Sequence, residues 1–398
     1  MTLGARGTMA VSCVGYLALG VITAALGPAL PELAAKTGSS LAGVGALVTS
    51  LFLGGLLSQL AVGALIDRLG RRPVLMAGAG LLALGTLAVT AAGTLPLVLL
   101  AAFVAGTGHG SLDVSSNILI GEVFTSRRSA ALNLLNAFFG FGAVLGPAAA
   151  SLALRLWHTA LPALWLGSAL MLLQLVLIPR LAEAPRPIPS PAQAGGQPGF
   201  LAALLRSPVF WTLGLLLLIY VGVENGMSSW TTTYLARTTT LELSVGALAS
   251  AGFWLALSGG RIVGAIMGVR LSPHTMLLIT LVGALAAGAL LAASGGNALL
   301  TVLAVLLTGF FYGPVFPTVV AIATTSFRRA TGTAAGLVLA MGSLGGALLP
   351  WLQGVLLERA GPEASVVLVA LAALAMLAFL GANNLVRPAV TADSPAAI

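Results

Sequence analysis

The chain alternates between long apolar runs and short polar breaks, from one end to the other. A run of about 20 apolar residues, at 1.5 Å per residue in a helix, matches the ~30 Å hydrocarbon core of a bilayer. Cutting the sequence where Pro, Gly and charged residues gather predicts about twelve membrane-spanning helices. They fall near residues 8–30, 41–66, 73–93, 95–123, 130–156, 160–180, 208–232, 244–268, 273–294, 297–324, 331–357 and 363–386. The first run, Thr8 to Leu30, is too long for the apolar core of a signal peptide and lacks a clear small-x-small cleavage site. It reads as the first span.

Composition agrees with the pattern. Of 398 residues, 58% are hydrophobic and 7% charged, with mean hydropathy +1.06. A soluble domain carries about 25% charged residues. The fold class is therefore an all-α membrane protein. The net charge of +8 would suggest nucleic acid in a soluble chain, but here the arginines sit in short loops. Arg6, Arg68, Arg71, Arg72, Arg127, Arg128, Arg180, Arg186, Arg206, Arg270, Arg328, Arg329 and Arg387 fall on one side of the predicted bundle. Lys36, Arg155, Arg237 and Arg359 fall on the other. That asymmetry places both termini in the cytoplasm of a multi-pass protein of the cytoplasmic membrane, with lipid and no nucleic acid as its surroundings. Trp157, Trp165, Trp230 and Trp351 lie toward outer span ends and Trp211 near an inner end, as an aromatic belt requires; Trp254 falls mid-span. The single cysteine, Cys13, allows no internal disulfide.

The pattern breaks once. Ala182–Gly199 holds Pro185, Pro187, Pro189, Pro191 and Pro198 with Gly195 and Gly196, which no helix interior accommodates. This predicts a six-helix half over 1–180, a cytoplasmic linker over 181–206, a second six-helix half over 207–388 and a tail over 389–398. The halves echo one another at an offset near 200 residues. Gly63-Ala64-Leu65 pairs with Gly264-Ala265-Ile266, Arg127-Arg128 with Arg328-Arg329, and Gly142 to Pro147 with Gly345 to Pro350. Duplicated, pseudo-symmetric halves produce such echoes.

Few ionisable groups interrupt the spans, and each demands a reason. The segment Gly106 to Asn117 places His109, Asp113 and Asn117 at i, i+4 and i+8, on one helix face. An acid at depth costs roughly 2.5 to 3.5 kcal/mol on insertion scales, so it normally meets a cavity or a partner. Asp113 is the candidate proton-coupling group, because its protonation follows its access to water. His109 either shares that proton or is a neutral hydrogen-bonding histidine. Glu224, with Asn225 beside it and Tyr220 one turn earlier, is a further candidate for coupling and for substrate. Asn117, Asn133, Asn136, Trp254 and Tyr312 complete the candidate substrate ligands, since polyol pockets combine a few convergent polar groups with apolar walls. Trp230 is a weaker stacking candidate. Gly309, Gly313, Pro314 and Pro317 interrupt span ten around Tyr312 and Phe316, as hinges or sites in transporters do. Arg261 in span eight needs an anionic partner or a route to the interface. Glu122 at the end of span four would meet it only by chance placement. No P-loop, metal-ligand spacing or hydrolase triad is present in the sequence, so neither an enzyme nor an ATP-driven pump is encoded.

The loop after span two reads Gly63-Ala-Leu-Ile-Asp67-Arg68-Leu-Gly70-Arg71-Arg72-Pro73. It resembles the G-x-x-x-D-R-x-G-R-R signature of the major facilitator superfamily, and with twelve spans and a central linker the resemblance covers the whole chain. It implies a secondary transporter in which Gly63, Asp67, Arg68, Gly70, Arg71 and Arg72 form a gate that locks one conformation. The second half lacks the acid, having Gly268 at that place. The run Asp113-Val-Ser-Ser-Asn117 resembles the fucose and glucose/mannose:proton symporter branch, where the span-four acid carries the proton. The span-seven run Tyr220 to Trp230 is similar to the same branch. The second acid of that branch, in span one, is missing; span one offers Ser12, Tyr16 and Thr23. Gly142 to Pro147 resembles instead a motif of proton-driven exporters, although a G-x-x-x-G pair also serves ordinary helix packing.

The expectation is thus proton-coupled import of a neutral, monosaccharide-like solute by a monomer without cofactors, with H+ as coupling ion and Na+ as the alternative. A proton-driven exporter of amphipathic compounds is the competing transport reading, and a non-transporting receptor the reading from another class.

Overall fold

The computed structural model describes residues 4–124, 128–181, 204–326 and 331–386; within these, the side chains of residues 67, 128–130, 324–325, 331–335 and 382–386 are left aside. Twelve stretches are long and apolar enough to cross a membrane. The first half is α1 (Ala5–Thr37), α2 (Leu41–Leu69), α3 (Arg71–Ala91), α4 (Leu95–Val123), α5 (Arg128–Trp157) and α6 (Leu161–Leu177). The second is α7 (Pro208–Thr238), α8 (Leu243–Met267), α9 (Pro273–Ala293), α10 (Ala298–Tyr312), α11 (Val315–Ser326), α12 (Thr331–Arg359) and α13 (Pro362–Val386). The bilayer forces this uniformity, because each backbone polar group in hydrocarbon must bond within its own segment.

Local chemistry sets the ends. Ser40, Ser207, Ser272 and Asn297 accept backbone N–H bonds at the starts of α2, α7, α9 and α10. Gly70 closes α2 and opens α3 with φ +88°, a conformation that disfavours any side chain. Three spans differ most from the hydropathy reading, the seventh by running on from 232 to Thr238. The first continues through Pro28 and Pro31 to Thr37, so hydropathy ended it too early. Span ten is two helices, broken at Gly313-Pro314 where the sequence predicts an interruption. Proline removes a donor and clashes with the preceding turn.

The duplication is visible in the packing. Gly106 and Gly110 of α4 lie against the backbone of Leu51 and Gly55 on α2. Their counterparts Gly309 and Gly313 lie against the backbone of Phe253 and Leu257 on α8. A Cβ at any of the four would overlap a neighbouring carbonyl oxygen. Gly142 and Gly146 seat α5 on Leu17 and Val21 of α1, as Gly345 seats α12 on Leu218 of α7. Small residues take this role in membrane bundles because association there depends on close backbone approach. The Gly142 to Pro147 motif is thus accounted for by packing within the first half.

The halves meet along α1–α7, α2–α12 and α5–α8. The joining contacts lie at mid-span or toward the arginine-poor end. Ala42 N–H donates to Glu358 at 2.6 Å and Thr49 to Ala347 O at 2.5 Å. Gly27 touches Ser228 and Ser229, and Gly346 faces Phe52. Trp230 is 1% exposed, between Gly45 of α2 and Gly354 of α12, with its indole N–H on Pro350 O at 2.7 Å. This corrects its assignment to the aromatic belt: the notch left by two glycines takes the ring out of the interface. Trp157, Trp165, Trp211 and Trp351 are exposed, as belt residues should be. The arginine-rich end carries much exposed surface. Leu60, Gly63, Ala64 and Leu65 of α2, Asn133 and Asn136 of α5, and Ile262 and Ala265 of α8 are exposed, and nothing lies within 4 Å of a Cβ placed on Gly63 or Gly336.

Candidate functional site

Two carboxylates stand at mid-span among the described residues, one in each half, and each is held by a buried tyrosine. In the first half Tyr16 of α1, 2% exposed, donates to Asp113 Oδ1 at 2.7 Å. Asn117 Nδ2 donates to Tyr16 Oη at 2.6 Å, to Asp113 Oδ1 at 3.0 Å and to Asp113 O at 2.8 Å. Asp113 and Asn117 are half-buried. The i, i+4 spacing on α4 aligns these two, and the glycine seam with α2 fixes the helix that carries them. No cation pairs with Asp113 among the described residues. His109 lies one turn away within electrostatic reach of the acid, and no hydrogen bond joins the two among the described residues. The amide of Asn117 is committed to the acid, although the sequence alone places it among the solute ligands.

In the second half Tyr220 Oη donates to Glu224 Oε1 at 2.9 Å, and Arg261 of α8 reaches the same oxygen at 3.2 Å. Glu224 is therefore the anionic partner that Arg261 requires, and Glu122 is not: it pairs with Arg71 at the arginine-rich end. Tyr220 packs edge-on against Tyr312 at 5.8 Å and tilted against Phe316 at 6.2 Å, across the break in span ten. Tyr312 is fully buried and its hydroxyl has no partner among the described residues. Asn225 bonds Val221 O within its own helix. Trp254 is buried, donates to Ser228 Oγ at 3.0 Å and meets Phe139 of α5 edge-on at 6.1 Å.

The structure brings His109, Asp113 and Asn117 together with Tyr16, and Tyr220 and Glu224 together with Tyr312 and Arg261. Asn133 and Asn136 join neither group. Both are exposed, and Asn136 bonds Leu132 O on its own helix. In the loop after α2, Arg68 is exposed, Arg71 binds Glu122, and Arg72 donates to Leu181 O, so the contacts seen stay within the first half. The Asp67 side chain, central to the expected gate, lies outside the described side chains. Sequence reasoning missed Tyr16 as a site residue, since a single tyrosine in an apolar run carries no signal of its partner. The Glu224–Arg261 pair was within reach: Glu224 is the acid that falls mid-span in the second half.

The family model described as Major Facilitator Superfamily matches residues 12–350 and again 248–396. The chain belongs to this superfamily. Among its relatives is an uncharacterized superfamily transporter, YfkL of Bacillus subtilis, 26% identical over 87% of this chain and 88% of that one. A putative glucose/galactose transporter of Helicobacter pylori is 26% identical over 64% of each chain. Among solved structures, the nucleoside transporter NupG superposes with a TM-score of 0.78 at 14% identity, covering 94% of this chain and 99% of that one. The Escherichia coli fucose:proton symporter FucP gives 0.66 at 20% identity, covering 94% and 97%. At these identities the structural likenesses speak for the superfamily fold. The relatives are transporters, not enzymes.

Proposed function

We propose that the protein is a proton-coupled symporter that imports a neutral, sugar-like solute by alternating access. The observation that carries this reading is the contrast between the two carboxylates. Glu224 is neutralised by Arg261, whereas Asp113 has hydrogen-bond donors and no cation among the described residues. A lone intramembrane acid is expensive to keep. Coupling gives it a use: the proton that neutralises it also changes which conformations are accessible. With Glu224 cancelled and Asp113 protonated, the site carries no net charge from these groups, which suits a neutral solute. The unpartnered Tyr312 hydroxyl favours a solute that brings hydroxyls, because an unmade buried bond costs about 1 to 3 kcal/mol. The sugar-transporter names among the relatives and the fucose:proton symporter likeness support the same reading.

In this reading the arginine-rich end is cytoplasmic, and the structure is the cytoplasm-open state. Sodium remains the alternative ion. A nucleoside is the second substrate reading, favoured by the NupG likeness. A thermal-shift screen over monosaccharides, nucleosides, sodium and cationic dyes would identify the solute, since a ligand stabilises by mass action. The decisive experiment then uses Asp113→Asn in proteoliposomes. Counterflow exchange of that solute should persist while accumulation driven by a pH gradient is lost. Accumulation at the wild-type proton stoichiometry would refute the assignment.

A further inference from the structure

The first-half cluster has a part that the coupling reading leaves unused, the buried Tyr16. Its hydroxyl lies 2.7 Å from Asp113 Oδ1 and 3.3 Å from Asp113 O, the shorter contact being to the carboxyl, and its oxygen takes the bond from Asn117. Asn117 adds its own bond to the same Oδ1. Both side-chain contacts of the acid's carboxyl thus converge on one oxygen, and Oδ2 has no partner among the described residues. The acid is half-buried, while Tyr16 is almost wholly enclosed.

We propose that Tyr16 is the positioning residue of the coupling acid: it holds Oδ1 as the hydrogen-bond acceptor in both protonation states, so that the proton is taken and released at Oδ2. An oxygen receiving two donors already has its lone pairs directed at them, whereas the other faces no competing donor. The other ionisable groups on α4 and its neighbours fit this division. His109 makes no hydrogen bond to the acid among the described residues, and Glu122, nine residues along α4, is occupied by Arg71. Tyr16 also links the acid to α1, whose Gly27 touches Ser228 and Ser229 of the opposite half. A change at Asp113 is thereby applied to a helix that reaches the seam between halves.

The inference rests on Asp113 being the coupling acid, and its test separates the two. Infrared difference spectroscopy on the purified full chain in liposomes, titrated with pH alone, needs no solute. The protonated-carboxyl band that disappears in Asp113→Asn is the band of interest. In wild type its C=O is Oδ1, bonded to Tyr16. In Tyr16→Phe that C=O loses a donor, and the band should move to higher wavenumber. A 3-fluorotyrosine at position 16 keeps volume and hydroxyl, strengthens the donor, and should move the band the opposite way even where Tyr16→Phe does not fold. A band that titrates yet stays put in both variants overturns the role of Tyr16 while leaving the coupling acid intact. Absence of any Asp113 band removes the coupling reading, and the inference with it.

Discussion

At the scale of single residues, the informative contrast is between an acid with a cation and an acid without one. Taking ions from water is costly, and a pair recovers that cost only while both members remain. Glu224→Gln should therefore strand Arg261. The expected loss of thermal stability corresponds to about 2 kcal/mol, below the ~3–5 of a fully enclosed pair because Arg261 is 31% exposed. The double variant Glu224→Gln/Arg261→Met should recover most of that loss. Melting measurements on the two proteins decide it: a stable single variant would mean the pair is not structural and would return Glu224 to the pool of direct solute ligands. The residue scale is also where sequence reading reached least far. Asp113 announces itself by its cost in a span, and Asn117 by its spacing. Tyr16 is ninety-seven residues away from the acid that it holds, and only the packing of α1 on α4 reveals the contact.

At the scale of helices, glycine placement explains which surfaces pack most closely. Within each half, glycines of α4 and α10–α11 pack onto α2 and α8 backbone to backbone. Between halves, α5 and α8 touch at Phe139–Trp254 and Gly140–Ser258. On α5, Asn136 and Asn133 continue the face of Gly140 toward the arginine-rich end. On α8, Arg261 and Ala265 continue the face of Ser258 in the same direction. If the halves rock about this seam, closing the open end sets Asn136 opposite Arg261 and Asn133 opposite Ala265. That gives Asn136 a use in the opposite conformation, where its amide would meet a guanidinium. Cysteines at Asn133 and Ala265, on a Cys13→Ser background, should cross-link and abolish transport, and a solute that favours the present conformation should slow the cross-link. Failure to cross-link under any condition would rule out closure along this line.

At the scale of the molecule, twelve spans and their grouping were legible because hydrocarbon imposes one solution on every segment, and apolar length reports it directly. The echo of Gly142 to Pro147 in Gly345 to Pro350 was legible for a related reason: duplicated halves keep their close contacts, and close contacts need glycine. Conformation was not legible. Alternating access requires one sequence to support two packings of similar energy, so no residue pattern names the state. Trp230 illustrates this, since its depth in the sequence fits an interfacial belt while its ring closes the seam at the arginine-poor end. The proposed orientation in the membrane rests on arginine placement alone, and it decides which side the arginine-rich end faces. Gly93, between α3 and α4, is exposed at the arginine-poor end; Val269, after α8, is 86% exposed at the arginine-rich end. On the Cys13→Ser background, Gly93→Cys should react with an impermeant maleimide in intact cells, and Val269→Cys only in inside-out vesicles. The reverse pattern would turn the arginine-rich end outward, and the same geometry would then describe a carrier waiting to load from outside, with Asp113 taking its proton from the opposite compartment.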